Sequence, residues 1–273
     1  MLKDITLGQY FPSKSVVHNM DPRSKIVLTI LYVAMIFTAK NAFSMAVSII
    51  LLFVIIAFSK IPLRLVFKSI KSVVPIIVIT GFLNIFYVQG ETVLFEYGFF
   101  CLTLEGIYNM LFIIVRILIM IVGTSLLTFT TTPTTLTDGI ERLISPLKLF
   151  KINVHDLAMM MTLALRFVPT LIEETDRIIS AQKARGADME SGGLIKRLKA
   201  LIPVLLPLLI SAVTRAWDLA VAMECRCYTG VGRTRMRVLK FSLSDYIAFA
   251  VFAVLFAAVI LLNIKFGSIL VSF

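Results

Sequence analysis

The chain has 273 residues, of which 59% are hydrophobic and 16% charged, and its mean hydropathy is +0.95. Soluble domains carry about 25% charged residues, because polar groups must cover their surface. The composition therefore excludes disordered, collagen-like and disulfide-stapled secreted chains and predicts an all-α integral membrane protein. The net charge of +11 does not indicate nucleic-acid binding, since lysine and arginine also concentrate in the cytoplasmic loops of membrane proteins.

Five apolar runs predict about five transmembrane helices. In chain order they cover residues 26–39, 42–58, 73–88, 107–129 and 245–263. A span needs about 17–25 residues, so the first and third runs require residues from their flanks. Only Lys40-Asn41 separates the first two runs, which predicts a tight hairpin. Because no apolar signal segment precedes the first run, we expect the first span itself to direct the chain to the membrane.

The distribution of basic residues predicts the orientation. Residues 1–25 hold four lysines and arginines, residues 59–72 hold four and residues 130–244 hold sixteen, whereas the loop 89–106 holds none. With five spans and a cytoplasmic N-terminus, 24 of the 27 basic residues lie inside, in agreement with the positive-inside rule. We therefore expect a multi-pass protein of the cell membrane with its C-terminus outside.

These patterns divide the chain into three parts. Residues 1–129 form a membrane domain with spans 1–4, residues 130–240 form a cytoplasmic region and residues 241–273 contain the final span. The cytoplasmic region holds two long helical patterns, at 154–184 and 195–225. Charges near the end of the first pattern would cost about 3 kcal/mol each at the bilayer centre. The uncharged run of the second covers only about 22 Å of a ~30 Å hydrocarbon core. We therefore expect both helices at the cytoplasmic surface.

Each of the two long patterns carries an apolar stripe at helical spacing, so each helix must bury one face against a partner. The stripe of the first includes Leu157, Met161, Ala164, Val168 and Leu171, and that of the second includes Leu205, Leu209, Ala212 and Ala216. Pro169, Pro203 and Pro207 lie inside the two patterns and predict kinks.

The two patterns end in the same motif, Ala-x-x-small-Arg-small, with the arginines 41 residues apart. Arg185 is flanked by Ala184 and Gly186, and Arg226 is flanked by Cys225 and Cys227. An arginine between small residues at a helix end is accessible and can bind a carboxylate through two hydrogen bonds. A solvated arginine favoured by the helix dipole would look the same at one site. The repetition at both ends favours a docking role.

Other residues indicate little chemistry in the chain itself. His18 and His155 lie far apart, and Cys225-x-Cys227 supplies two thiols at most, so we predict no metal or cofactor site. Gly230-Val231-Gly232 lacks the Gly-Lys-Ser/Thr ending of a phosphate loop, which predicts that the chain has no ATPase of its own. Arg116, inside the fourth span, is a functional candidate by position, although we favour a structural role.

The motifs resemble those of the transmembrane T component (EcfT family) of energy-coupling factor transporters. The likeness covers most of the chain and includes Gly8-Gln9-Tyr10, His18, Asp21-Pro22-Arg23-Ser24-Lys25, Thr137-Asp138-Gly139, Ser145-Pro146-Leu147, Ala164-Leu165-Arg166-Phe167-Val168-Pro169, Glu173-Glu174 and Ala181-Gln182-Lys183-Ala184-Arg185-Gly186. The departure is Cys225-Arg226-Cys227, where the family more often has Ala-Arg-Gly.

The resemblance implies a non-catalytic coupling subunit of an ATP-binding-cassette importer for vitamins or metals. Two ATPase subunits would dock on the helix ends, at Ala184, Arg185, Gly186, Cys225, Arg226 and Cys227. A small membrane S component that binds the substrate would rest on the apolar stripes. ATP binding would move the docked ends, shear the helices and topple the S component so that it releases substrate inward.

Two other functions stay open at the level of sequence. A secondary transporter that binds its own solute is the alternative, but the chain has one charge within a span and no paired broken helices. A membrane-embedded enzyme would require a nucleophile–base or carboxylate pair, and none stands out.

Overall fold

The computed structural model describes residues 10–87, 93–97, 100–146, 154–187, 193–228 and 239–266. Within these ranges the chain forms nine helices and one two-stranded hairpin. Their order is α1 (Val16–Asn19), α2 (Pro22–Thr38), α3 (Ala42–Ser59), α4 (Leu63–Tyr87), β1 (Val93–Tyr97), β2 (Phe100–Thr103), α5 (Leu104–Thr130), α6 (Pro133–Ile144), α7 (Val154–Ala184), α8 (Leu194–Cys225) and α9 (Leu243–Phe266). The predicted all-α membrane architecture is confirmed. Gly8, Gln9, Leu147 and Gly230–Gly232, which the sequence singled out, lie outside the described residues.

Six of the described helices are long and apolar enough to cross a membrane, judged by length and composition. They are Ala42–Ser59, Leu63–Asn84, Leu104–Thr130, Val154–Ala184, Lys199–Cys225 and Leu243–Lys265. Four of them correspond to the second to fifth apolar runs. The first run lies in α2, whose 17 residues cover about 26 Å. Because α7 and α8 satisfy the same two criteria, length and composition alone do not separate them from the spans, and their place at the cytoplasmic surface stays a prediction.

Contacts group the helices into two compact units. The membrane unit contains α1–α6, the hairpin and α9, and the second unit contains α7 and α8. The divisions fall after Leu143 and after Val238. Residues 130–143 therefore group by contacts with the spans, while their predicted membership of a cytoplasmic region stays a prediction. The physical reason for this grouping is close packing of α6 on α2, where a Cβ at Gly139 would lie 3.2 Å from the Cβ of Pro22.

The segment 89–106, expected to be a loop, contains the β-hairpin and the start of α5. β1 and β2 pair antiparallel, with Tyr97 opposite Phe100. Thr103 then caps α5 by accepting a hydrogen bond from the amide of Gly106 at 3.2 Å. On the other side, α4 begins at Leu63, ten residues before the apolar run, because its first turns already bury Val66 against the core.

The turn between α2 and α3 confirms the predicted hairpin at Lys40-Asn41. Its carbonyl groups are satisfied by side chains from two other helices. Asn263 of α9 donates to the carbonyl of Thr38 at 2.7 Å, and Arg116 of α5 donates to the carbonyl of Ala39 at 2.7 Å. The guanidinium also lies 4.9 Å from the centre of the Phe112 ring. This geometry gives Arg116 a structural task, which is to close the end of a helical hairpin.

The segment before α2 is fixed by backbone and imidazole hydrogen bonds. Phe11 donates its amide to the carbonyl of Phe129 at 3.0 Å, and the ring of His18 lies 3.0 Å from the carbonyl of Phe11. The hydroxyl of Ser15 lies 2.7 Å from the other ring nitrogen of His18. Burial lowers the pKa of His18, the nearby charge of Lys25 lowers it further, and the bond to Phe11 opposes both. His18 therefore serves as a hydrogen-bonding residue of this segment.

The core of the membrane unit lies where α2 and α5 cross. Tyr32 is buried there, and its ring lies directly against the backbone of Gly123. A Cβ at Gly123 would stand 2.3 Å from Cε1 of that ring, which no side chain tolerates. The glycine thus sets the distance between the two helices.

We predict that Gly123→Ala lowers the free energy of unfolding by about 1–3 kcal/mol, because the Tyr32 ring must move out of a packed core. The matched control is Gly81→Ala, also within a helix, whose Cβ would meet the flexible end of Ile114 at 3.2 Å. That change should be neutral or stabilising, since alanine favours helix over glycine. Thermal unfolding in detergent tests both, and equal midpoints for the two variants would contradict the prediction.

Candidate functional site

The two helices of the second unit form an antiparallel pair. Contacts link Tyr228 to the sulfur of Met159 at 2.8 Å and Gln182 to the carbonyl of Pro203 at 3.3 Å. Between these points, Ser211 donates to Glu174 at 2.7 Å. The residue numbers of the contacts increase along α7 (159, 174, 182) while those of their partners decrease along α8 (228, 211, 203), so the two helices run antiparallel.

This direction places the two predicted docking arginines at opposite ends of the pair. Arg185 ends α7 beside the stretch of α8 that contains Pro203. Arg226 lies 23 residues further along, at the other end of α8. At ~1.5 Å per residue, the two ends are separated by about 35 Å along the pair.

The end of α7 is closed by two backbone hydrogen bonds. The amide of Ala187 donates to the carbonyl of Gln182 at 3.0 Å, and the amide of Gly186 donates to Lys183 at 3.0 Å. Gly186 has φ = +85°, the left-handed conformation that glycine adopts without strain. This is the Schellman arrangement, and it ends α7 at Ala184, as the helical pattern over 154–184 predicts.

The end of α8 has the same arrangement built without glycine. The amide of Tyr228 donates to the carbonyl of Met223 at 3.0 Å, and the amide of Cys227 donates to Glu224 at 2.8 Å. Cys227 has φ = +55°, a left-handed conformation in which its Cβ crowds the following carbonyl oxygen. Gly186 has no Cβ and avoids this strain. Cys225-Arg226-Cys227, where the resemblance implies Ala-Arg-Gly, therefore still forms the turn after Arg226.

The repeated motif is thus a repeated structure. Arg185 and Arg226 occupy the same position, directly before the left-handed residue, and both are exposed. So are their small neighbours Ala184, Gly186, Cys225 and Cys227, and both thiols are free. Within the part of the chain that the structure describes, neither guanidinium makes a hydrogen bond or ion pair. Each is available to an external carboxylate.

The apolar stripe of α8 is largely uncovered. Leu205 is 58% exposed and Leu209 is 62% exposed, while Ala216 is exposed and Ala212 half-buried. They share half of the helix circumference with further exposed apolar side chains, namely Ile202, Leu206, Ile210, Val213 and Trp217. In α7, Leu157 and Met161 are each 49% exposed, Ala164 is exposed, and Val168 and Leu171 are half-buried. α8 therefore presents the larger uncovered apolar face.

The polar residues between α7 and α8 were not anticipated as a unit. Glu174 accepts hydrogen bonds from both Ser211 and Arg215, and its contact with Arg215 is an ion pair. Arg215 also reaches back toward Ser211 at 3.4 Å. Ser211 and Arg215 occupy the side of α8 opposite its apolar face, so this polar contact lies between the two helices and the apolar face of α8 points away from α7. The signal in the sequence was Arg215, the one arginine between residues 200 and 225 of α8.

These features describe a multi-pass helical membrane protein with an attached pair of long, externally apolar helices. A family model described as "Cobalt transport protein" matches residues 13–238. Among the described residues, no group of three or more histidine, cysteine, aspartate and glutamate side chains could hold a metal ion.

Named relatives extend the match to nearly the full chain. The energy-coupling factor transporter transmembrane protein EcfT of Ruminiclostridium cellulolyticum is 46% identical over 267 residues, covering 97% of this chain and 100% of the relative. EcfT of Clostridium kluyveri is 45% identical over 269 residues, covering 98% and 100%. EcfT of Brevibacillus brevis is 46% identical over 256 residues, covering 93% and 97%. The chain belongs to the EcfT family, the transmembrane components of energy-coupling factor transporters.

The left-handed residues give a stability prediction. Cys227→Gly should raise the free energy of unfolding by about 1 kcal/mol by removing the Cβ strain, and Gly186→Ala should lower it by a similar amount. No atom lies within 4 Å of a Cβ at Gly186, so the cost there is that of the backbone alone. Cys227→Ala is the control, because it removes the thiol and keeps the strain. Thermal unfolding that rises equally for Cys227→Ala and Cys227→Gly would contradict the assignment.

Proposed function

We propose that this chain couples two ATPase subunits to a substrate-binding S component in a vitamin or metal importer. ATP is hydrolysed on the partner chains, and this chain transmits the resulting motion. The observation that carries the proposal is the pair of structurally equivalent, exposed arginines at opposite ends of α7 and α8. Two identical ends about 35 Å apart fit two copies of one kind of partner.

Each arginine-bearing end docks into a groove on one ATPase. The guanidinium forms two hydrogen bonds with a carboxylate there, and the small neighbours, Ala184 with Gly186 and Cys225 with Cys227, allow the helix end to enter closely. The available hydrogen-bonding capacity of both guanidinium groups supports this assignment.

The S component rests on the apolar stripes. It contacts Leu157, Met161, Ala164, Val168 and Leu171 of α7 and Leu205, Leu209, Ala212 and Ala216 of α8. The support for this is that a soluble environment does not accommodate an apolar face of this extent, whereas an apolar membrane partner covers it. Because substrate specificity lies in the S component, this chain reads no substrate itself.

Transmission uses the length and continuity of the two helices. Both run through their internal prolines without interruption, and the 31 residues of α7 cover about 45 Å. When ATP binding brings the ATPases together, the docked ends move, α7 and α8 shear, and the S component topples to release substrate inward. In this arrangement the N-terminus and both helices are cytoplasmic and the C-terminus is outside.

A transporter that binds its own solute was weighed against the fact that Arg116 is the single charge in the middle of a predicted span. That guanidinium already serves the carbonyl of Ala39 and the Phe112 ring.

We predict that the double variant Arg185→Ala/Arg226→Ala loses both ATPases on affinity purification and loses transport. Removing one partner of a buried charge pair costs about 2–5 kcal/mol, which weakens each docking contact about 30-fold or more. Arg177→Ala is the matched control, because Arg177 is an exposed arginine on α7 away from the end. Retention of both ATPases by the double variant would overturn the docking role.

A second prediction separates the apolar face from the helix ends. Leu209→Gln should release the S component while both ATPases stay bound, because a polar group would be buried against an apolar partner. Leu209→Met keeps the side chain apolar and of similar volume, so this variant should retain all partners. Quantitative mass spectrometry of the purified complex measures each subunit. An unchanged S component in Leu209→Gln would place its contact elsewhere.

A further inference from the structure

An apolar groove opens on the surface of the membrane unit between α3 and α9. Its volume is about 480 Å³, within the range of about 300–1,000 Å³ that is typical of small-molecule sites. Val54 and Phe58 of α3 line one side, and Ile247 and Val251 of α9 line the other. These four side chains are 44% to 61% exposed, so the groove is open along its length to whatever surrounds the helices.

The depth of the groove is buried and offers hydrocarbon contact. Its floor is formed by α2 and α5, with Tyr32 and Leu126 both buried. The polar side chains of these two helices that line it each donate a hydrogen bond to a backbone carbonyl, namely Lys25, Thr29, Tyr32 and Thr130. Because these donors are already used within the protein, a polar ligand in the groove would lose its hydrogen bonds to water without replacing them. An apolar occupant is favoured.

The groove lies at one end of the membrane unit, where α3 and α5 end and α2 and α9 begin. There the hydroxyl of Ser13 donates to the carbonyl of Ser59 at 3.3 Å, which ties the segment before α1 to the end of α3. Val16 and Val17 of α1 then line the groove at this end. It is the end opposite the Lys40-Asn41 turn, and the distribution of basic residues predicts that it is cytoplasmic.

Two exposed lysines flank this end of the groove. Lys14 and Lys60 directly follow the hydrogen-bonded serines, so the Ser13–Ser59 bond brings their backbones together. Within the described ranges, neither ammonium group makes a hydrogen bond or ion pair.

The carboxylates nearby do not cancel this charge. Asp21 and Asp245, at the starts of α2 and α9, are both buried. Asp21 holds the guanidinium of Arg23 at 2.9 Å, and Asp245 accepts from the backbone amides of Asp21 and Ser242. The exposed charges next to the lining residues of α1 and α3 are therefore positive.

We propose that this groove binds one anionic phospholipid, with an acyl chain between α3 and α9 and the headgroup phosphate on Lys14 and Lys60. The groove extends about 13 Å along α9, from Leu243 to Phe252, which accommodates the part of an acyl chain nearest the headgroup. Two lysines beside an apolar groove favour a lipid with net negative charge over a zwitterionic one, because both ammonium groups attract the anion. The site lies within the membrane unit alone and does not depend on the proposed coupling function.

The test uses the full chain in nanodiscs that contain equal amounts of phosphatidylglycerol and phosphatidylcholine. After transfer to detergent, native mass spectrometry counts the lipids that stay bound. We expect one retained phosphatidylglycerol, and about 30-fold weaker retention in the double variant Lys14→Gln/Lys60→Gln. Lys68→Gln/Lys71→Gln is the matched control, because it removes two exposed lysines of α4, a helix that does not line the groove, and it should retain the lipid.

A second pair of variants tests the groove itself. Ala248 lines the groove, so Ala248→Phe should fill it and abolish lipid retention, whereas Ala250→Phe, at an exposed position of α9 outside the groove, should not. Thermal unfolding in detergent verifies that each variant is folded, and the lysine variants carry the test if Ala248→Phe is not.

Three results would overturn the proposal. The first is equal retention of the two lipids by the unmodified chain, and the second is unchanged retention of phosphatidylglycerol by the Lys14/Lys60 variant or by a folded Ala248→Phe variant. The third is displacement of the lipid by excess glycerol phosphate, a soluble form of the headgroup, because the lysines would then bind a free phosphate without help from the groove.

Discussion

The arrangement of the second unit depends on the contact between Glu174 and Arg215. Arg215 lies within the apolar stretch of α8, on the side of that helix that faces α7, where its guanidinium finds hydrogen-bond acceptors while its side chain stays 40% exposed. Glu174 is the ion-pair partner of that guanidinium, and Ser211 adds a second hydrogen bond. Once this contact sets the register, the remaining geometry follows. The two helices run antiparallel, their ends lie far apart, and the apolar side of α8 faces away from α7.

The register explains how one motif serves two partners in the coupling function that we propose. Had the helices run parallel, both arginines would lie at one end and compete for the same space. In the antiparallel pair, Arg185 and Arg226 lie at opposite ends, each in the same backbone turn and between small exposed neighbours. The two side chains of the polar contact are themselves partly exposed, 40% for Arg215 and 23% for Glu174.

Sequence periodicity predicts the elements whose causes are local. The hairpin at Lys40-Asn41 and the end of α7 at Ala184 follow from short-range signals, and both are confirmed. The β-hairpin between α4 and α5 was missed because a short segment between two spans carries little periodic signal. The grouping of α6 with the spans depends on the approach of Gly139 to Pro22, a contact between residues more than a hundred positions apart. Local pattern contains no information about that distance.

The candidate site also has one part that the local sequence predicts and one part that it does not. The arginines and their small neighbours are visible in the sequence because the motif repeats, whereas the pairing of Glu174 with Arg215 becomes evident only when the register is known. Cys227 shows that residue type alone does not predict the backbone conformation at a helix end. The family pattern calls for glycine there, yet the left-handed conformation persists because two backbone hydrogen bonds over-determine it, and the helix cap tolerates the strain of one Cβ. In the proposed docking role, Arg226 therefore depends on the conformation of the turn more than on a glycine as its last residue.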